Sequence, residues 1–216
     1  KGHRGPITDV AFDAAGARVC SASKDATVRL WDATSGAALC DLPATTGLPS
    51  GLPANKGGVG KVMCRACVFS PDGMSVLAVQ SGGRGASYAT RWEITGEGEA
   101  TDVSVTKVGK LSNDPVPCLS ISADGKVVAA GDVEGHVTIL NATSLAKVKS
   151  MPLHGLPVTT ISMIPGGTAF GGFDIATGSA DKRVVISSSK GGGSIMTYLG
   201  ILLLLILVFL VKTTVL

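Results

Sequence analysis

Residues 2–32 read GHRGPITDVAFDAAGARVCSASKDATVRLWD, and this stretch decides the fold. Three short runs in it alternate apolar and polar residues, which is typical of half-buried β-strands. The runs are Ile7–Phe12, Val19–Ser23 and Thr27–Asp32. Turn-forming residues separate them at Ala14–Gly16 and at Lys24–Ala26. The stretch therefore predicts three consecutive antiparallel strands joined by tight turns.

Three later units repeat this strand–turn–strand pattern, so the chain contains four versions of one unit. They begin near Cys67, Cys118 and His154, and two of them carry S-x-D-G turns, at Ser70–Gly73 and Ser122–Gly125. The uneven spacing between equivalent strands predicts inserted loops. The two longest are Gly47–Gly60 and Gly96–Asp114. These repeats predict an all-β chain.

The first unit resembles a WD repeat, because it opens with Gly-His and closes with Trp-Asp. In such repeats a His, a turn Asp, a strand Ser and a Trp form a buried hydrogen-bonded set that links three strands. The matching residues here are His3, Asp25, Trp31 and either Ser21 or Ser23. We therefore interpret His3 as a structural residue rather than as a catalytic group or a metal ligand.

WD repeats fold into β-propellers, whose blades are arranged around a full circle and typically number four to eight. We expect residues 1–186 to form part of a WD-repeat β-propeller. About four blades are present, whereas propellers of this type usually have about seven. The absent blades are expected to precede Lys1.

Charge and cysteine content exclude several other classes of protein. The formal net charge is only +3 and no run of Lys or Arg occurs, which argues against a nucleic-acid partner. Five irregularly spaced cysteines favour a reducing compartment over a disulfide framework. Cys64 and Cys67 form a C-x-x-C pair, but no second pair or nearby His completes a zinc site. We interpret them as small buried thiols.

Residues 195–211 read IMTYLGILLLLILVFLV, a run without any charged residue. As a helix, these residues would extend roughly 25 Å, close to the apolar thickness of the endoplasmic reticulum membrane. We therefore expect a transmembrane helix at Ile195–Val211, preceded by a flexible linker at Ser187–Ser194 and followed by a short lumenal tail at Lys212–Leu216.

The charges around the apolar run predict its orientation. Lys182, Arg183 and Lys190 precede the run, and Lys212 alone follows it. Because positive charge favours the cytosolic side of a membrane, the propeller is expected to face the cytosol. Asn141-Ala142-Thr143 matches a glycosylation acceptor pattern, which a cytosolic domain would leave unmodified.

Several runs resemble the prolactin regulatory element-binding protein family, the membrane-anchored guanine-nucleotide exchange factors for the Sar GTPase of COPII coats. The resemblance is carried by His3–Phe12 with Ser23–Trp31, Cys64–Phe69 with Ala86–Trp92, Pro117–Ser122 with Leu140, and His154–Thr159. It covers nearly the whole chain, and the apolar run directly after the last blade agrees with it.

The resemblance implies a propeller on the endoplasmic reticulum membrane that loads Sar with GTP and so starts COPII vesicle formation for transport to the Golgi. It also implies a loop, stabilised by a potassium ion, that acts on the GTPase. That loop would precede Lys1, so no exchange residue is assigned in this sequence, and this chain alone is expected to lack exchange activity.

Two other functions compete with nucleotide exchange. A tail-anchored WD-repeat adaptor or trafficking facilitator, without exchange activity, remains the alternative. A propeller hydrolase is disfavoured, because the three histidines occupy repeat or turn positions and no G-x-S-x-G occurs. The Gly-rich Ser81–Gly85 is interpreted as a hairpin loop, since no Gly-Lys-Ser/Thr follows it. We therefore predict no catalytic, cofactor-binding or metal residue in this chain.

Overall fold

The computed structural model describes residues 2–43, 48, 62–83, 85–96, 98–163 and 174–188, and these residues form four antiparallel sheets. The first sheet contains β1 Ile7–Phe12, β2 Arg18–Ser23, β3 Thr27–Asp32 and β4 Ala38–Pro43. The second contains β5 Val62–Phe69, β6 Ser75–Gly82, β7 Ser87–Thr95 and β8 Asp102–Ser112. The third contains β9 Cys118–Ile121, β10 Val127–Gly131, β11 His136–Asn141 and β12 Lys147–Pro152. The fourth contains β13 Val158–Met163, β14 Asp174–Ser179 and β15 Val184–Ser188.

Each sheet is a meander in which every strand pairs with the next one along the chain. The turn between the first two strands ends on Gly16, Gly73 and Gly125 in the first three sheets, with φ of 69°, 70° and 69°. Glycine adopts this left-handed conformation without a steric penalty, so the repeated turn glycines explain why the same tight connection recurs.

The four sheets pack face to face as the blades of a propeller. Three hydrophobic clusters fill the junctions between consecutive blades. The first joins Leu30 to Phe69, the second joins Leu77 to Leu140, and the third joins Ile139 to Met163. Because side chains alternate across a strand, the second and third blades each bury one face against the preceding blade and the other against the following blade. The all-β propeller prediction is confirmed.

The structure corrects the prediction that Gly96–Asp114 is an inserted loop. A 3-10 turn at Gly98–Ala100 leads into β8, which pairs with β7 along its length. Valines 103 and 105 of β8 pack against the hydrophobic cluster between the first two blades. The outer strands β4 and β12 are not evident from the sequence, because residues on the rim of a blade are largely exposed and lack a clear apolar alternation.

The end of the last blade also differs from the predicted boundary at residue 186. Strand β15 continues through Ser188, because Ser187 and Ser188 pair with Ile175 and Asp174 of β14. The rest of the predicted linker, the predicted transmembrane helix at Ile195–Val211 and the tail lie outside the described residues, as does the predicted loop Gly47–Gly60. Within the described ranges, no helix is long and apolar enough to cross a bilayer.

Candidate functional site

The first blade brings His3, Ser21, Asp25 and Trp31 together in one hydrogen-bonded set. His3 Nδ1 lies 3.0 Å from Asp25 Oδ2, and His3 Nε2 lies 2.8 Å from Ser21 Oγ. Trp31 Nε1 donates a hydrogen bond of 2.8 Å to the same Ser21 Oγ. The serine of the set is therefore Ser21. The other candidate, Ser23, instead donates to the carbonyl oxygen of Gly5.

Asp25 is the electrostatic centre of this set. Partial burial alone would raise the pKa of its carboxyl group, but hydrogen bonds from Thr27 Oγ1, the Arg4 backbone N–H and the His3 ring outweigh it and lower the pKa well below its usual range. The carboxylate therefore stays ionised. Its hydrogen bonds to His3 and Arg4 join the residues before β1 to the turn between β2 and β3.

The fourth blade contains a second set of this kind, centred on His154. Its Nδ1 lies 3.1 Å from Asp181 Oδ2, and its Nε2 lies 2.9 Å from Thr177 Oγ1. Thr177 thus replaces Ser21, and Ser187 occupies the register position of Trp31. The sequence places His154 at a repeat position, but its partners become evident only in the structure. The His154-Gly155 pair, together with Asp181 in the turn between β14 and β15, could have predicted this hydrogen-bonded set from the sequence.

These histidines are structural. The His3 side chain is 2% exposed and the His154 side chain is 0% exposed, so neither ring has a face open to a substrate. Both ring nitrogens of each histidine already have a partner within its own blade. The arrangement links the first, second and third strands of each blade, and it offers no free base to a nucleophile.

The C-x-x-C pair lies inside β5, where a bulge between Cys64 and Ala66 places both thiols in the cluster between the first two blades. Burial raises the pKa of the Cys64 thiol to about 12. A hydrogen bond with the Cys20 thiol, together with burial, raises the pKa of Cys67 well above its usual range. Among the described residues, no group of three or more His, Cys, Asp or Glu side chains is placed to hold a metal ion.

The Gly-rich segment after β6 is the connection between β6 and β7. The backbone N–H of Gly85 donates 2.9 Å to the carbonyl oxygen of Gly82, which closes a turn there. Arg65 Nη2 donates to the carbonyl oxygen of Gly83, so the end of this hairpin is tied to β5. No described residue is assigned to the potassium ion that the family resemblance implies.

The described surface contains clefts that the sequence analysis did not anticipate. One lies between the first and second blades, beside the turn that joins β1 to β2, and has a volume of about 600 Å³. Its lining includes Asp13, Arg18, Asp32, Leu39, Met74 and Ile94. A second cleft of about 470 Å³ lies between the second and third blades, at the equivalent turns.

Comparison with known proteins agrees with this architecture. The WD domain, G-beta repeat family matches residues 1–32. The chain is 27% identical over 154 residues to periodic tryptophan protein 2 homolog of Schizosaccharomyces pombe, an alignment that covers 70% of this chain and 17% of that protein. It is 28% identical over 165 residues to WD repeat-containing protein 18 of Rattus norvegicus, covering 74% of this chain and 34% of that protein. The chain therefore spans well under half of either relative.

Two solved structures share the fold. The β-propeller domain of Cps50 (Swd1) from Myceliophteria thermophila superposes with a TM-score of 0.59 at 16% identity, over 86% of this chain and 53% of that domain. The computationally designed Ika4 protein superposes with a TM-score of 0.57 at 18% identity, over 87% of this chain and 93% of that protein. The chain carries a WD40 repeat, and its described residues form four blades of an all-β WD-repeat propeller, a fold that serves as a scaffold for protein interactions.

Proposed function

We propose that this chain is the propeller of a membrane-held guanine-nucleotide exchange factor for a Sar-type small GTPase, acting on the endoplasmic reticulum at the start of COPII vesicle formation. The observation that carries the proposal is the presence, in one chain, of a WD-repeat propeller and an uncharged apolar run shortly after its last strand. The family resemblance of the inner strands, which include β5 and β9, supports the choice of partner.

The proposed activity needs no bond-making group in the propeller. An exchange factor binds the nucleotide-free GTPase more tightly than the loaded form, and this difference in affinity speeds the release of GDP. The buried histidine sets fit such a role, because they stiffen a blade instead of presenting a base to a substrate. Residues 2–188 would supply a rigid scaffold with clefts between blades for contact with protein partners.

Holding the propeller on the membrane adds a second contribution. A membrane-bound GTPase and a membrane-held propeller meet at a raised local concentration, so a weak contact between them becomes effective. The apolar run Ile195–Val211 would provide this attachment, and the few residues between Ser188 and Ile195 would keep the propeller close to the lipid.

The test is release of a fluorescent GDP analogue from Sar on liposomes. The full-length gene product, including whatever precedes Lys1, should accelerate release by more than about tenfold, and the 216-residue chain alone should not. A small GTPase from another subfamily serves as the specificity control. If a folded full-length protein binds Sar but leaves the release rate unchanged, the adaptor function replaces exchange. If it does not bind Sar, the choice of partner is wrong.

A further inference from the structure

Arg65 is a half-buried arginine in the first strand of the second blade. The first strands of consecutive blades contact one another, so β5 lies on the inner side of the blades. A bulge between Cys64 and Ala66 leaves Arg65 without a partner in the register of β5 and β6. Its side chain reaches the end of β6 and the hairpin that follows it.

Two nitrogens of the Arg65 guanidinium are fixed by neutral groups. Nε donates to Ser81 Oγ, and Nη2 donates to the carbonyl oxygen of Gly83. The third nitrogen, Nη1, donates to no group among the described residues and is not enclosed by them. Because the two fixed nitrogens set the plane of the guanidinium, the N–H groups of Nη1 are held in a defined direction and are open to an acceptor.

Within the described ranges, no carboxylate forms an ion pair with Arg65. Burial lowers the pKa of its guanidinium, and no acid of those ranges counteracts this effect. Three other arginines each pair with an aspartate of the chain: Arg18 with Asp13, Arg29 with Asp41, and Arg183 with Asp181. The positive charge of Arg65 therefore lacks the partner that these arginines have.

The acidic side chains outside the description do not supply a partner by their position in the sequence. Only two acidic residues, Glu97 and Glu99, have such side chains, and both belong to the connection between β7 and β8. Arg65 contacts the hairpin between β6 and β7, which is at the other end of β7. A counter-charge for Arg65 must therefore come from another molecule.

We propose that Arg65 binds an acidic side chain, Asp or Glu, of a protein partner that docks beside the hairpin between β6 and β7. A half-buried cation with only neutral neighbours is costly, and a carboxylate would offset that cost with charge-assisted hydrogen bonds. A single guanidinium neutralises one negative charge, which fits a carboxylate better than a phosphorylated side chain with a charge of about −1.5 to −2. This contact requires an acidic partner but no particular GTPase, so it goes beyond the exchange activity proposed above.

The test is the retention of peptide pools on the immobilised full chain. Each pool contains short peptides of random sequence around one fixed central residue, which is Asp, Asn or phosphoserine. The wild type should retain the Asp pool about tenfold more strongly than the Asn pool, because the two pools differ only in the central charge. Arg65→Gln should lose this preference completely. Arg65→Lys should lose most of it, since lysine keeps the charge but lacks the planar fork.

Arg183→Gln is the matched control, because it removes an exposed arginine that pairs with Asp181 of its own blade, and it should keep the preference. Urea unfolding followed by tryptophan fluorescence checks that each variant is folded. If Arg65→Gln does not fold, Arg65→Lys decides the outcome, because its ammonium group can still donate a hydrogen bond. Equal retention of the Asp and Asn pools by the wild type, an unchanged preference in Arg65→Lys, or an equal loss in Arg183→Gln would each overturn the proposal. Stronger retention of the phosphoserine pool would overturn the choice of a carboxylate.

Discussion

Arg18 of the first blade donates a hydrogen bond of 2.7 Å from Nη2 to the carbonyl oxygen of Gly73 in the second blade. Its Nε donates 3.0 Å to Asp13 Oδ2 within its own blade, and its guanidinium lies 5.6 Å from the centre of the Phe69 ring. The Arg18 side chain thus joins the first turn of the first blade to the first turn of the second blade. This contact links the first two blades in addition to the hydrophobic cluster that they share.

The Arg18 contact predicts a measurable loss of stability. We expect Arg18→Gln to lower the free energy of unfolding by about 1–2 kcal/mol, because the shorter amide side chain cannot reach Gly73 while bonding Asp13. Urea unfolding followed by tryptophan fluorescence measures the effect. Arg183→Gln is the control, since the Arg183 guanidinium bonds Asp181 of its own blade and the side chain is more than half exposed. Equal losses in both variants would show that the contact between blades contributes little.

The hydrogen-bonded set of the first blade predicts sensitivity to acid. The pKa of Asp25 is lowered in the folded protein, so its contribution to stability is present above the unfolded pKa and is lost as the pH falls through the folded value. Asp25→Asn should destabilise the protein at neutral pH and flatten the decline of stability below about pH 4. Thermal unfolding between pH 2 and pH 7 tests this. If stability declines in acid as steeply in the variant as in the wild type, other carboxylates cause most of that decline.

The ionisation of Asp9 should make stability depend on pH in the opposite direction. Burial raises its pKa, although the carboxylate accepts a hydrogen bond of 2.9 Å from the Cys67 backbone N–H. A raised folded pKa means that stability falls as the pH rises between the unfolded and folded values. Asp9→Asn keeps an oxygen acceptor and carries no charge, so it should be at least as stable as the wild type at pH 7. A large destabilisation by this variant, measured by urea unfolding, would contradict the inferred cost of burying the charge.

Two glycines provide a matched test of the junction between the third and fourth blades. Gly135 has φ of 88°, and an added Cβ would collide with the carbonyl oxygen of His154. Gly16 has φ of 69°, but a Cβ there would meet open space. Gly16→Ala should therefore cost about 1 kcal/mol of stability from backbone strain alone, and Gly135→Ala about 3 kcal/mol or more. Similar losses in both variants would show that the junction yields to accommodate the methyl group.

The proposed orientation predicts an unmodified Asn141. Its side-chain oxygen accepts hydrogen bonds from the backbone N–H groups of Thr143 and Ser144, and the residue is exposed at the turn between β11 and β12. An acceptor on the lumenal side would be accessible to the glycosylation enzyme. In microsomes, the protein should carry no sugar, and residues 1–186 should be cleaved by protease added outside. Sugar on Asn141 would place the propeller in the lumen and remove the cytosolic GTPase as a partner.

The sequence predicted the inner strands well and the outer ones poorly. Strands β1 and β3 have the bounds Ile7–Phe12 and Thr27–Asp32 that their alternating apolar and polar residues indicate. Strand β12 contains Lys147, Val148 and Lys149, which are all exposed. It therefore lacks the alternation of apolar and polar residues that would mark it as a strand. Its pairing with β11 supplies the information that the local residues lack. The set around His154 was missed in part because Thr177 and Ser187 replace the serine and tryptophan of the first blade.

By itself, the sequence determined the four strand–turn–strand units and the tight turns at Gly16, Gly73 and Gly125, because these depend on residues adjacent in the chain. Only the tertiary structure decided that Phe69 is buried and Phe12 exposed, although the two occupy the same position in the repeat. Burial of a sheet face depends on whether another blade packs against it, and that neighbour lies far away in the chain or outside it.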